Sequence, residues 1–95
     1  MLKHVVLLKF KESVTEEQIA DLKKSLLALP KKIKEINGYE CGSDRRPTKT
    51  FDFALVSTFD EVEALKRYHV HPDHVDVLTK VRNMSARIEA VDFEF

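Results

Sequence analysis

Two stretches of this chain are apolar on both of their alternating faces, and that restricts the fold more than any other feature. In residues 4–10, His4, Val6, Leu8 and Phe10 share one face of a strand and Val5 and Leu7 share the other. In Phe51–Phe59, Phe53, Leu55 and Phe59 lie on one face and Ala54 and Val56 on the other. Helices laid on such a sheet cover one side only. The other side stays an apolar patch of a kind monomers seldom expose. A two-fold copy of the same chain is the commonest cover, so a homodimer is the expected partner. Two sheets meeting in this way form a barrel with helices outside.

The remaining elements follow from local chemistry. Thr15-Glu16-Glu17-Gln18 reads as a capping box, with a helix following to about Leu29. Ile19, Leu22, Leu26 and Leu29 form its buried stripe. Pro30 interrupts that helix, and Lys31–Ile36 is expected to form a further short turn ended by Asn37-Gly38. Tyr39–Ser43 reads as a second strand and Asp44–Thr50 as a loop. Asp60-Glu61-Val62-Glu63 is expected to cap another helix, with Val62, Leu65 and Tyr68 facing inward. His71-Pro72 breaks that helix, because a residue before proline avoids helical angles, and Pro72 suits the first position of the next. There His74, Val77, Leu78, Val81 and Met84 lie along one face, and a last strand spans about 86–93. The order β-α-β-β-α-β is the ferredoxin-like arrangement of the α+β class. It implies a four-stranded antiparallel sheet with the helices on one face, in one domain over residues 1–95.

Composition narrows the function. Sixteen Lys and Arg balance sixteen Asp and Glu, so no basic excess points to nucleic acid. The apolar centre of the N-terminal stretch runs only from Val5 to Leu8, too short for a signal core or a membrane span. Cys41 is alone and cannot form an internal disulfide. A cytoplasmic protein without membrane or nucleic-acid partners is expected. Gly38 and Gly42 are the only glycines and make no phosphate-binding loop. Arg45 and Arg46 read as part of a solvated loop.

Chemistry concentrates in Tyr68-His69-Val70-His71-Pro72-Asp73-His74. His74 falls in the first turn of its helix, at the top of the apolar stripe. Burial and the positive end of the helix dipole both disfavour an imidazolium there, and a neutral imidazole is a usable general base. Tyr68 ends the preceding helix and has a phenol to donate. His4, on the face of Val6 and Leu8, reaches the same space if that face meets the helices. The bland alternative makes Tyr68 a core aromatic and His74 a backbone cap. For a metal, His69-x-His71 and His71-x-x-His74 offer nitrogen pairs and Asp73 an oxygen, but no tetrahedral set is evident. No metal and no cofactor are expected.

The opening His4-Val5-Val6-Leu7-Leu8-Lys9-Phe10-Lys11, the 53–59 strand with its acidic helix start, and Tyr68-x-x-His71-Pro72-x-His74 together resemble the stress-responsive A/B barrel domain (Dabb) family over nearly the whole chain. That resemblance implies a dimeric α+β barrel of ferredoxin-like subunits. One family member is a cofactor-free polyketide cyclase in which a tyrosine and a histidine act together. By motif match these fall on Tyr68 and His74, with His4 and Leu55 at the pocket wall. The expected ligand-binding set is His4, Val6, Leu8, Leu22, Leu26, Leu55 and His71. The cyclase walls its pocket with aromatics on its first helix, whereas this chain has Leu22-Lys23-Lys24-Ser25-Leu26 there. The leading expectation is therefore a domain that binds a small, partly apolar molecule. A cofactor-independent cyclase or isomerase acting on a carbonyl, and a cofactor-free monooxygenase, are the alternatives.

Overall fold

A computed structural model describes residues 1–95. Four strands and four helices follow one another as β1 Leu2–Phe10, α1 Glu16–Leu27, α2 Leu29–Lys32, β2 Gly38–Ser43, β3 Phe53–Phe59, α3 Val62–Val70, α4 Pro72–Met84 and β4 Ser85–Glu94. The strands form one antiparallel sheet in the order β2-β3-β1-β4. This is the ferredoxin-like α+β arrangement expected from the sequence.

The sheet register sorts the side chains by face. Residues directly opposite each other in antiparallel strands share a side. Val6 lies opposite Leu55 and Ala90, and Leu8 opposite Phe53 and Ile88. On this side Leu2, Leu8, Phe10, Phe53, Leu55 and Phe59 pack with Leu22, Leu26 and Leu29 of α1 and α2, Leu65 and Tyr68 of α3, and Val77 and Val81 of α4. The opposite side carries Val5 between Val56 and Val91, with Leu7 beside Ala54 and Phe93 beside Lys3. No helix covers it, and Val91 and Phe93 are 59% and 47% exposed. No helix of the chain is long and apolar enough to cross a membrane.

Several boundaries differ from expectation. The capping box forms, with Gln18 N–H donating to Thr15 Oγ1 and Thr15 N–H donating to Gln18 Oε1. Its helix stops at Leu27, and Pro30 opens the short α2, because a proline is tolerated in a first turn where its missing N–H has no intrahelical partner. Residues 51–52 do not extend β3. Asp52 instead bends away to accept from the Phe10 N–H at 2.8 Å while its own N–H donates to the Leu8 carbonyl at 2.8 Å. The acidic start of α3 caps nothing through its side chains. Glu61 occupies the cap position without such a bond, and Asp60 accepts from Asn37 Nδ2 at 2.6 Å. Val62 is 45% exposed rather than inward, because the buried stripe is Ala64, Leu65 and Tyr68. Val62 lies about a third of a turn from its centre.

Candidate ligand site between sheet and helices

The break between α3 and α4 builds one end of a cavity. His71 has the extended angles that a following proline demands, φ −63° and ψ 132°, and it ends α3 while capping α4. The Asp73 N–H donates to His71 Nδ1 at 3.2 Å. The last turn of α3 and the first turn of α4 thus converge. The final carbonyls of a helix lack intrahelical partners, and His74 Nδ1–H donates to one of them, the His69 carbonyl, at 3.1 Å. This bond fixes the tautomer and leaves Nε2 as the nitrogen with a free lone pair. Nε2 has no partner in the chain, yet Ser85 Oγ is the one fully buried polar side-chain atom left unbonded. His74 Nε2 is therefore open to the cavity.

Rings cluster around that nitrogen. The Tyr68 and His74 rings lie 4.2 Å apart, His69 and His74 5.6 Å, and His4 and His69 5.3 Å. His4 Nδ1 donates to Asp92 Oδ1 across the β1–β4 pair. The Tyr68 hydroxyl hydrogen-bonds to the Tyr39 hydroxyl at 2.7 Å. Burial holds the His74 imidazole below its ordinary value, helped by the nearby His69, His4 and Arg82 and opposed by the bond to the His69 carbonyl. His69 is lowered as well, again mainly by burial. Burial raises the Tyr68 phenol to about 12, against the opposing effect of the bond from Tyr39. At neutral pH the site thus offers an uncharged imidazole beside an uncharged phenol.

From this polar end the cavity runs between the sheet and α4, with a volume of about 440 Å³. His4, Val6 and Leu8 of β1, Leu55 of β3 and Leu26 of α1 contribute to its wall, as do Tyr68 and His74. Two residues of the expected binding set lie elsewhere. Leu22 is fully buried in the core on the α1 side, and His71 turns to its own helix cap. The imidazole that does reach the cavity from α3 is His69. Tyr39 and Asp92 were not singled out in the sequence. A carboxylate at Asp92, on the same strand parity as Ile88 and Ala90, is the signal that marks an inward polar group. Tyr39 has the inward parity of Cys41, opposite Ser57. No three of the His, Cys, Asp and Glu side chains are grouped so as to hold a metal ion.

The depressed imidazoles have a consequence for stability. A histidine whose folded pKa lies below its unfolded value binds fewer protons when folded, so its stabilising effect is complete above the unfolded pKa and is lost as pH falls through the folded one. The urea midpoint is expected to fall between pH 7.5 and pH 5, and to fall less in His74→Gln. An equal fall in both proteins would show that His74 makes no contribution.

Comparisons with known proteins agree with this architecture. The family model for the stress responsive A/B barrel domain matches residues 2–95. A stress-response A/B barrel domain-containing protein of Arabidopsis thaliana is 28% identical over 95 residues, covering 97% of this chain and 87% of the relative. Olivetolic acid cyclase of Cannabis sativa is 30% identical over 76 residues, which is 77% of this chain and 75% of the cyclase. A crystal structure from Bacteroides fragilis, described as a dimeric protein of unknown function and ferredoxin-like fold, superimposes with a TM-score of 0.90 at 34% identity, covering 99% of this chain and 95% of that one. Matched from Leu2 onward by a single family model, the chain belongs to the stress-responsive A/B barrel domain family.

Proposed function

We propose that this protein is a cytoplasmic homodimer, one domain per chain, in which each protomer binds a small, partly apolar molecule between sheet and helices. The observation that carries the reading is the cavity of about 440 Å³. It falls within the roughly 300–1,000 Å³ of small-molecule sites and has their usual build, apolar walls with a few convergent polar groups. The bare side of the sheet supports the dimer, and so does the description of the Bacteroides fragilis relative as dimeric. A thermal-shift screen of aromatic and carbonyl compounds is expected to find stabilisers whose effect disappears in Val77→Trp, which fills the cavity. A broad library without one stabiliser would overturn the reading.

A second reading is catalytic: a cofactor-independent cyclase or isomerase acting on a carbonyl compound. The bond from His74 to the His69 carbonyl favours it, because the free Nε2 is aimed as a general base's nitrogen must be. In such a reaction Nε2 takes a proton from the carbon beside a carbonyl. The Tyr68 phenol donates to the carbonyl oxygen as negative charge develops there. Tyr39 then donates into the Tyr68 oxygen, which frees the Tyr68 proton for the substrate. The similarity to olivetolic acid cyclase points the same way. For a substrate that turns over, His74→Ala is expected to lower kcat by about 10²–10⁴-fold while the dimer persists. An unchanged kcat would exclude His74 as the base.

A further inference from the structure

We infer that the molecule this cavity takes is an organic acid, with its apolar body among Leu8, Leu26, Val77, Val81 and Ile88 and its carboxylate on Arg82. The inference rests on the cavity being a binding site and adds the class of ligand.

On α4, the residues His74, Val77, Leu78, Val81 and Arg82 all line the cavity. They are spaced as one helical face, and Arg82 stands where that pattern asks for another apolar side chain. It is the only permanently charged residue in the lining. Arg46, Arg67 and Arg87 each hold a carboxylate, of Asp44, Glu35 and Glu61, and Glu89 respectively. Arg82 has none. The α4 positions three and four residues before it are Thr79 and Leu78, and the helix ends at Met84, so no acid stands one turn away on its own helix. Arg82 is solvent-exposed at the cavity's margin, and helical side chains lean toward the N-terminus, the direction of the His74 end. Its charge is felt at His74, eight residues earlier. A guanidinium is weakly hydrated, and its planar fork matches a carboxylate with two parallel bonds. An unpaired guanidinium beside an apolar trough fits a ligand with an acid group and a hydrocarbon body. If Arg82 only covers apolar surface with its stem, acids and neutral isosteres bind alike.

Decanoate and 1-decanol separate these cases in a nitrogen–proton NMR titration of the full chain at pH 7.5. Decanoate is expected to bind about tenfold more tightly than the alcohol, with the largest shifts at the Val77, Arg82 and Ile88 amides. Arg82→Gln should bring the two dissociation constants together, and Arg82→Lys should keep most of the preference. Val77→Trp should weaken both ligands. Equal binding of acid and alcohol to the wild type, or a preference that survives in Arg82→Gln, overturns the acid assignment and leaves the cavity reading standing. If neither probe binds, or if both bind Val77→Trp as well as they bind the wild type, the cavity reading fails and the acid assignment fails with it.

Discussion

Val5→Glu is expected to convert the protein from a dimer to a single chain of 11.0 kDa. Val5 stands in the middle of the uncovered side of the sheet, with Val56 and Val91 opposite it on the neighbouring strands. In a separate chain the new carboxylate faces water, so the cost to folding is small. In a two-fold pair of sheets two carboxylates enter the apolar centre of the face, where the cross-strand neighbours of Val5 are Val56 and Val91. An unpaired buried charge costs several kcal/mol, which corresponds to weakening by about 1,000-fold or more. Analytical ultracentrifugation at micromolar concentration reads the change directly, and circular dichroism checks that the fold persists. A Val5→Glu protein that sediments as a dimer would place the interface elsewhere. A wild type that sediments as a single chain would remove the dimer altogether.

The largest effect on folding is expected from Phe53→Ala. Phe53 is 1% exposed and its ring lies 5.9 Å from that of Phe10. It is paired with Leu8 across β1 and β3. Truncating such a residue removes its transfer free energy and leaves a void that the neighbours fill only partly, at about 3–5 kcal/mol. Small domains have about 5–15 kcal/mol of total stability, so much of the molecule's margin goes with one side chain. Urea denaturation should show the loss as a lower midpoint with little change in slope. A loss below about 1.5 kcal/mol would mean that the site closes up as a tolerant, loosely packed core does.

The order of elements was legible because it rests on local chemistry. Alternating apolar residues mark β1 and β3, the Thr15–Gln18 box starts α1, and His71-Pro72 separates α3 from α4. The same features placed Tyr68, His74 and His4 near one another, since a helix end, a helix start and a strand face are each predictable. What stayed hidden depends on register between distant segments. Asp92 meets His4 across 88 positions of sequence, and Tyr39 meets Tyr68 across 29. No local pattern encodes which residue of one strand lies opposite which residue of another. His71 was expected in the binding set because it belongs to the motif, but the motif's own proline turns it toward the backbone. Leu22 was expected there because, with Leu26, it lies on the stretch that corresponds to the first-helix pocket wall of the cyclase and on the same apolar stripe. That stripe is wider than the cavity, and only Leu26 reaches it.

The pairing of β4 with β1 sets a timetable for the molecule. Ile88 and Ala90 wall the cavity, and Asp92 holds His4. All three belong to the last strand, and all are joined to the first. While the chain is being synthesised, every helix and three strands can emerge from the ribosome with the cavity still missing a side. Among these elements β4 is the last to be made, so the cavity gains its Ile88 and Ala90 wall only once β4 has paired with β1.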